Sequence, residues 1–579
     1  MERLTKILAV SFLATILTLS FIATGAGESF TVGWKAEIPT LNPAKSWAEE
    51  ANIVIDLMFD GLYTLDKDAN PVPELIVEEE ISEDTMTWDF TMTDQASWQD
   101  GQPLTADDVV YNLKVLTKTQ PPQLTPNLEF IDSVEKTGPY SFSLNMKYQQ
   151  PISLTKAMLE DLLGIWLPPH KLPPVEEMKL QDVLDYKPRL GSGPFEFEEW
   201  KKDQYLVLNS VQNYWQGAAN IDKLVFRRFS QENAQVEALK SGQIDLAFEL
   251  TSPTLVKSIE ATSGVSVANT PSQWFHELVF NLTDWNENMR PALHQLEVRK
   301  ALAHLVDVDK IVNLVWLGYA KRNPSILPSW EPYKDFYNEE LEYYDFDVEK
   351  AKQILEENGW VDRNGDGIRE KTVSYTIKPL ALKDGKMQYN EEEGTIKRVP
   401  EDEWIEKEKT VKLDFSVWIE TSYSIELRVF EIVKEAAKKA GIRLRPNVME
   451  GAKMYDLIWG EDGYRGDYDM LGWGWNIGVD PTFVLSWLSM YQIGAYSDSN
   501  WHNAEFNRIY RNQAREVDHQ KRIEMVKRAQ ELVHEQLPYV VMYWPDKLDG
   551  YSEDFQGYVQ QDLVGLTQDL TFMNLKPKE

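Results

Sequence analysis

The chain has 579 residues, 59 basic and 93 acidic, for a net charge of −34 at pH 7, and it has no cysteine. A surface this acidic repels phosphate backbones and anionic lipid, which excludes a nucleic-acid partner. The absence of cysteine excludes disulfides, zinc–thiolate and iron–sulfur sites, cysteine nucleophiles and a lipid-modified N-terminal cysteine.

The N-terminus predicts an export signal. Arg3 and Lys6 precede an apolar run, Ile7–Ile22, and then the small residues Ala23–Ala26. The run is shorter than the about 20 residues that a spanning helix needs, so residues 1–26 are interpreted as a signal peptide cleaved after Ala26. An uncleaved membrane anchor is the alternative. The mature chain is expected to be soluble and periplasmic, or exported in another extracytoplasmic form.

The first motifs are predicted strands followed by loops that proline or glycine marks. Phe30–Trp34 predicts a strand, and Ile38–Pro43 is a proline-bounded loop after it. Further on, the stretch Trp98–Val110 contains an Asp-Gly turn. Thr105 is then expected to cap a helix, with Asp108 three residues later as in a capping box.

Later motifs continue in the same style. Gly191–Phe195 is a glycine-rich turn entering a strand. A helix from Gln235 is expected to end at Ser241–Gly242, with Gly242 as its C-terminal cap, and to lead into a strand at Ile244–Phe248. Leu537–Tyr543 predicts a buried strand close to the end of the chain. The acidic, lysine-rich residues 378–410 are expected to form a surface loop or hairpin.

The most informative stretch is 281–328. A polar loop runs into a helix that starts near Val298, and Asp307 is the expected N-cap of a second helix, Val308–Trp316, which Gly318 ends. By itself, this pattern predicts only two amphipathic helices packed on a sheet and indicates nothing about function.

Taken together and in order, these motifs resemble family 5 of the bacterial extracellular solute-binding proteins, the receptors of ABC importers for peptides, nickel and oligosaccharides. The resemblance covers about residues 30–560. In the stretch 281–328, the positions that match the family pattern are Glu297, Val298, Arg299, Ala301, Leu302, Asp307, Ile326, Leu327 and Pro328.

The resemblance implies an α/β fold like that of the periplasmic binding proteins, a two-lobed clamshell of mixed sheets flanked by helices, with an extra inserted domain. Lobe I is expected to comprise residues 27–74, 186–281 and 511–579, with an inserted subdomain at 75–185. Lobe II is expected at 282–510, and the chain should cross between the lobes near 275–285 and 505–515. Such a cleft closes on a ligand that contacts both lobes.

Tryptophan is the most conspicuous candidate for ligand contact, with 20 residues in the chain. Flat indoles stack on the C–H faces of sugar rings, although most tryptophans in proteins lie in the core. The candidate ligand-binding residues at segments that the family places at the cleft are Asn42, Trp47, Trp274, Trp473, Trp475, Asn476, Asp480 and Trp487.

The expected ligand class depends on one position. Peptide receptors that this chain resembles carry an aspartate for the peptide ammonium three residues before the position of Asp480, and this chain has Ile477 there. Burying an ammonium without a partner is costly. An oligosaccharide is therefore the expected ligand, and an oligopeptide or dipeptide is the alternative, with Asp480 or Asp469 as a substitute partner.

The loop after residue 361 matches the first part of a calcium loop. Its oxygen positions are Asp362, Asn364, Asp366, Ile368 and Glu370, but position 12 is Val373 instead of glutamate. One structural calcium ion and a metal-free turn are both compatible with this pattern, and no other cofactor is expected.

Enzyme motifs are absent from the sequence. His276–Phe280 begins like a zinc-protease motif but lacks the second histidine, and neither a nucleophile elbow nor a P-loop occurs. A secreted glycoside hydrolase, which needs only two carboxylates, is the alternative from another class. The expectation is a non-enzymatic monomer that delivers a small-molecule ligand to a membrane ABC permease.

Overall fold

A computed structural model describes residues 28–46, 48–421, 424–459 and 467–578. The predicted signal peptide, 1–26, and Trp47 lie outside these ranges. Within them, no helix combines the length and the apolar character needed to cross a membrane.

The strands are β1 (Ser29–Trp34), β2 (Tyr63–Leu65), β3 (Pro71–Pro73), β4 (Ile76–Ile81), β5 (Thr87–Met92), β6 (Ile131–Gly138), β7 (Ser141–Met146), β8 (Phe195–Lys201), β9 (Tyr205–Ser210), β10 (Lys223–Arg228), β11 (Leu246–Ala247), β12 (Val265–Pro271), β13 (Trp274–Phe280), β14 (Ala320–Lys321), β15 (Glu370–Ile377), β16 (Leu382–Lys383), β17 (Lys386–Met387), β18 (Tyr389–Asn390), β19 (Thr395–Ile396), β20 (Ile405–Lys412), β21 (Asp414–Glu420), β22 (Arg443–Met449), β23 (Met470–Asn476), β24 (Tyr539–Ser552), β25 (Phe555–Gln556) and β26 (Lys576–Pro577).

The helices are α1 (Glu49–Met58), α2 (Ala106–Thr119), α3 (Ile152–Glu160), α4 (Leu180–Asp185), α5 (Glu232–Lys240), α6 (Pro253–Glu260), α7 (Leu296–Ala303), α8 (Val308–Lys310), α9 (Val348–Glu357), α10 (Ser424–Lys439), α11 (Gly451–Trp459), α12 (Pro481–Trp487), α13 (Ala504–Gln513), α14 (His519–Gln536) and α15 (Asp569–Asn574).

One continuous sheet joins the two lobes, in the order β22-β21-β23-β13-β24-β11-β1-β10-β9-β8. The long strand β24 belongs to both halves of this sheet. Its first part, residues 539–543, pairs with β13, and its last part, 546–552, pairs with β12. The mixed α/β architecture and the two lobes therefore agree with the expected fold class.

The inserted subdomain has its own four-stranded sheet, β4-β5-β7-β6. It lies inside the segment 75–185 predicted from the sequence. The predicted capping box is present at the start of α2, where Thr105 and Asp108 satisfy each other's backbone amides.

Lobe II is organised around three parallel strands. The chain runs β21–α10–β22–α11–β23, and β21 pairs in parallel with both β22 and β23. Parallel neighbours require crossover connections, which α10 and α11 provide.

The N-terminal part of lobe II contains the segment that is most informative in the sequence. Asp307 caps α8 by accepting a hydrogen bond from the Lys310 amide, as predicted. The helix continues past Lys310 as a π-helical turn, Ile311–Val315, and the chain turns at Gly318, where φ is +91°.

Both crossings between the lobes lie outside the ranges expected from the sequence, the first narrowly and the second by about thirty residues. The first lies between β12 and β13, at 271–274, just before the predicted 275–285. The second lies within β24, about thirty residues after the predicted 505–515. The second crossing comes later than predicted because helix α14, which follows residue 515, belongs to lobe II. Its Gln530 forms hydrogen bonds with Ser325 and Phe336 of that lobe.

The insertion at 378–410 forms two short hairpins, β16–β17 and β18–β19. Met387 and Ile396 of these hairpins pack against Trp285, Met490 and Ile493 in a separate small apolar cluster. The insertion is therefore anchored to lobe II.

A buried ion pair connects helices α12 and α14. Asp480 caps α12 through the Thr482 amide and lies 2.6 Å from the Arg522 guanidinium, and their side chains are 4% and 0% exposed. Arg522 also donates to Ser153 at the start of α3, over 3.2 Å. This pair thereby links lobe II to the inserted subdomain.

Removing the cation should leave Asp480 buried without its partner. We expect Arg522→Met to lower the free energy of unfolding by about 3–5 kcal/mol. The matched control is Arg528→Met on the same helix, whose partners Glu505 and Glu531 are exposed, with an expected loss of about 1 kcal/mol or less. Urea denaturation of both variants measures the difference, and equal losses would contradict the role assigned to Arg522.

Candidate functional site

The candidate site lies at the carboxyl edge of the parallel strands in lobe II. Strand β21 ends at Glu420, β23 ends at Asn476, and α12 begins just beyond β23. In open α/β sheets, ligands bind in the crevice outside the carboxyl ends of the strands. This edge is also next to β13, where the chain enters lobe II.

Six aromatic side chains meet at this edge, and we call them the aromatic cluster. The indoles of Trp475 and Trp487 stack with centroids 4.4 Å apart, and Trp459 lies 5.1 Å from Trp473. Tyr455 stacks on Trp459 at 5.7 Å. The cluster comprises Tyr455, Trp459, Trp473, Trp475, Trp487 and Tyr496.

The members of the cluster differ in accessibility. Trp473 is 7% exposed, whereas Tyr455 is 40% exposed and Tyr496 is 58% exposed. Trp473 thus supports the cluster from below. The accessible surface is formed by α11, by the loop that carries Tyr496, and by the half-buried rings of Trp459, Trp475 and Trp487.

A fully buried carboxylate, Asp498, lies beneath the two β23 indoles. Its Oδ2 atom accepts hydrogen bonds from Trp473 Nε1 at 2.9 Å and from Trp475 Nε1 at 2.7 Å. The hydroxyl of Tyr539, on β24, donates to Oδ1. Burial raises the pKa of Asp498 to about 6, and these three donors limit the increase.

A second carboxyl group, Glu277, lies on β13 directly opposite Trp473 in the strand register. Its side chain is fully buried, and within the part of the chain that the structure describes neither carboxyl oxygen has a hydrogen-bond partner of good geometry. Burial, followed by the neighbouring carboxylates of Asp498 and Glu426, raises the pKa of Glu277 well above its ordinary value.

The opposite face of β13 carries a different polar group. The His276 ring stacks on Tyr543 with centroids 4.8 Å apart, and Glu426 Oε1 lies 2.8 Å from His276 Nδ1. Tyr543 donates to the same oxygen at 2.5 Å. These buried contacts join α10 to β13 and β24, so His276 serves packing rather than metal chemistry.

The structure brings together three of the sequence-predicted site residues, Trp473, Trp475 and Trp487. Asn476 follows them at the end of β23, and its side-chain oxygen accepts from the Gly478 amide. Trp274 pairs with Asn476 in the register, so side-chain alternation directs it to the sheet face opposite Trp475.

Two other predicted residues have their polar atoms engaged within the protein. Asn42 is buried and donates to the Val183 and Tyr186 carbonyls, which attaches the first loop to the end of α4. Asp480 is committed to Arg522 and to the cap of α12. Both side chains are thus paired within the protein, and their assignment as ligand contacts stays a prediction.

Ile477 carries no information about the charge of the ligand. Its side chain is fully buried, and its carbonyl accepts from the Tyr333 hydroxyl at 2.9 Å. A position that faces the core cannot report whether an ammonium group binds in the cleft. The sequence argument against peptides therefore loses its main support.

Four residues of the site are not among the predicted ligand contacts: Tyr455, Trp459, Tyr496 and Asp498. The first two are four residues apart on α11 and so share one helix face, which the spacing could have indicated. Asp498 lies in an irregular segment 23 residues after Trp475, and no local pattern marks it.

The acidic side chains of the candidate calcium loop bond to backbone amides of the loop and to one lysine. Asp362 accepts from the amides of Gly365 and Gly367, and Asp366 accepts from the amide of Ile368. The Lys412 ammonium lies 2.5 Å from Asp366 Oδ2. Across the described ranges, no three acidic or histidine side chains are grouped to hold a metal, and the calcium ion and the metal-free turn both stay predictions.

The burial of Glu277 predicts an unusual pH dependence of stability. Because its pKa is raised from 4.5, the folded protein keeps a proton that the unfolded chain releases above that pH. Stability relative to Glu277→Gln should therefore fall as pH rises, by about 1.4 kcal/mol per unit while folded Glu277 stays protonated.

Urea denaturation of the wild type and Glu277→Gln at pH 5, 6 and 7 measures this slope. The control is Glu392→Gln in an exposed hairpin turn, for which the difference from wild type should not vary with pH. Parallel curves for Glu277→Gln and the wild type would contradict the buried, protonated carboxyl.

Two curated relatives are similar over most of the chain. The oligopeptide-binding protein AppA of Bacillus subtilis (strain 168) is 25% identical over 543 residues, covering 92% of this chain and 89% of AppA. The dipeptide-binding protein DppE of the same strain is 23% identical, covering 89% and 85%. Both are named as binding proteins, in agreement with the expectation of a non-enzyme.

The solved structure of Bacillus subtilis AppA in complex with a nonapeptide has the same fold. The TM-score is 0.71 at 21% sequence identity, with 96% of this chain and 99% of that chain covered.

The family described as bacterial extracellular solute-binding proteins, family 5 middle, matches residues 70–495. This match spans the inserted subdomain, much of lobe I and five of the six residues of the aromatic cluster, and we conclude that the chain belongs to family 5 of the bacterial extracellular solute-binding proteins.

Proposed function

We propose that this protein is the extracytoplasmic receptor of an ABC importer and that it binds a peptide in the cleft between its lobes. The observation that carries the proposal is the aromatic cluster at the carboxyl edge of lobe II, where Tyr455 and Tyr496 expose their rings. The relatives named as oligopeptide- and dipeptide-binding proteins support the peptide over the oligosaccharide that the sequence favoured.

The chemistry of the cluster also favours an apolar side chain as its guest. The indole N–H groups of Trp473 and Trp475 are both bonded to Asp498, so these residues present ring faces and no free donors. Ring faces gain free energy by covering apolar surface. A sugar needs hydrogen-bonding groups beside the rings, which these two indoles do not supply.

A hydrolase is disfavoured by the burial of the carboxyl groups at the base of the cluster. Glu277 and Asp498 are both fully buried. A glycosidase pair has to reach the scissile bond from both sides of the sugar. Neither carboxyl group is accessible to a substrate, because both lie beneath the rings of the aromatic cluster.

Calorimetry with mixed peptides of about two to nine residues and with di- to hexasaccharides tests the ligand class. We expect a peptide with apolar side chains to bind with a Kd of about 1 μM or tighter, equivalent to about −8 kcal/mol. Sub-micromolar binding of an oligosaccharide, with no peptide bound, would reverse the assignment.

The contribution of the cluster is tested by Trp475→Ala. Removing a half-buried aromatic anchor should weaken the bound peptide by about 1–3 kcal/mol. The matched control is Trp200→Ala, since Trp200 is also half-buried but lies on β8, at the other end of the sheet from lobe II. Equal affinities for Trp475→Ala and the wild type would place the ligand elsewhere.

A further inference from the structure

We propose that Asp498 is a positioning residue of the ligand site. Its Oδ2 atom accepts hydrogen bonds from the indoles of both Trp473 and Trp475 and so holds the two rings as a preformed platform for the ligand. This inference rests on the proposed function, because it explains how the aromatic cluster is ready to receive an apolar side chain before the ligand arrives. It assigns to Asp498 a role as a hydrogen-bond acceptor rather than as a charge.

The convergence of two donors on one oxygen carries the inference. Trp473 and Trp475 are two residues apart on β23 and project from the same face of the sheet. Their Nε1 atoms lie 2.9 and 2.7 Å from the same Oδ2 atom. A shared acceptor sets the orientation of each ring relative to the other, which stacking alone would leave adjustable.

Asp498 is itself held from several directions. Tyr539, on β24, donates to its other carboxyl oxygen, and the Tyr468 hydroxyl donates to its backbone carbonyl. All three residues are buried. The acceptor is therefore fixed to the strand that joins the lobes and to the segment that enters β23.

The positions of the two indoles determine the rest of the platform. Trp475 stacks on Trp487 with an interplanar angle of 20°, and Trp473 packs on Trp459 at 32°. Trp459 in turn contacts the exposed rings of Tyr455 and Tyr496. A rotation of either β23 indole would therefore be transmitted to the accessible surface.

A direct electrostatic role for Asp498 toward the ligand does not fit its surroundings. Its side chain is fully buried under the indoles. The nearby ionisable side chains on β13 and β24 are Glu277, an acid, and Tyr539, a donor to Asp498. A ligand ammonium would have to displace Trp473 or Trp475 to reach this carboxylate.

This geometry makes the consequence of substitution specific. In Asp498→Asn, the amide oxygen can accept from both indoles while the amide nitrogen donates to the Tyr539 hydroxyl, which can accept. In Asp498→Ala, both indole N–H groups lose their acceptor in a buried site, which forces the rings to turn toward other partners or water.

The experiment compares ligand-free proteins first and then their affinities. The exciton couplet of the stacked indoles in circular dichroism should be the same in the wild type and Asp498→Asn and be lost in Asp498→Ala. With the tightest peptide found for the wild type, Asp498→Asn should bind within about threefold, and Asp498→Ala should bind at least about tenfold more weakly.

Asp60→Ala is the matched control, because Asp60 is also fully buried and accepts from a tyrosine and an indole, Tyr214 and Trp215, but it lies in lobe I and makes no bond to the aromatic cluster. It should keep the couplet and bind within about threefold of the wild type. A folded Asp498→Ala that retains both the couplet and the affinity would overturn the proposal. An Asp498→Asn that loses both would overturn it too, since the acceptor would then be insufficient.

Two further outcomes remain decisive. If Asp498→Ala does not fold, Asp498→Asn decides, with an unchanged couplet supporting the proposal and an altered one overturning it. If the wild type binds no peptide, the proposed function fails, whereas the ligand-free couplets still test whether Asp498 positions the indoles.

Discussion

The pairing of β24 with both halves of the sheet is the constraint on which the remaining structure depends. Its first residues extend lobe II beside β13, and its last residues extend lobe I beside β12. Tyr539, at its start, reaches the carboxylate under the aromatic cluster. Lys547, near its other end, pairs with Glu49 at the start of α1. The strand that connects the lobes therefore contacts polar groups on both sides of the crossing.

Two buried carboxyl groups near this strand, Asp498 and Glu277, differ in their hydrogen bonding. Asp498 accepts from three donors, whereas burial raises the pKa of Glu277 well above its ordinary value. Buried acids of this kind cost stability at neutral pH. The two indoles that Asp498 holds explain why an acid is present there. For Glu277 the structure shows only that it lies opposite Trp473 in the strand register.

Local chemistry in the sequence was sufficient to predict several elements. The Thr105–Asp108 capping box and the Asp307 cap are properties of four consecutive residues, and both are confirmed. Gathering Trp473, Trp475 and Trp487 was also predictable, because they lie on β23 and the adjacent α12.

Tertiary burial decided what the sequence could not. Ile477 and Asp480 are three residues apart and were interpreted as ligand-facing, but both are buried, one in the core and one against Arg522. Asp498 has no neighbouring motif, and its role arises only because side chains of β23 and β24, the two strands on either side of β13, both reach it. The assignment of α14 to lobe II likewise depends on contacts of Gln530 with residues about 200 positions away.

The central claim is that the aromatic cluster is the surface that receives the peptide. Selective labelling of the tryptophan indoles, followed by NMR during titration with a bound peptide, tests it most directly. The account predicts that the Nε1–H resonances of Trp459, Trp475 and Trp487 shift with saturation, while those of Trp88 and Trp200 stay in place. Unchanged resonances in the cluster, together with shifts at the remote indoles, would contradict it.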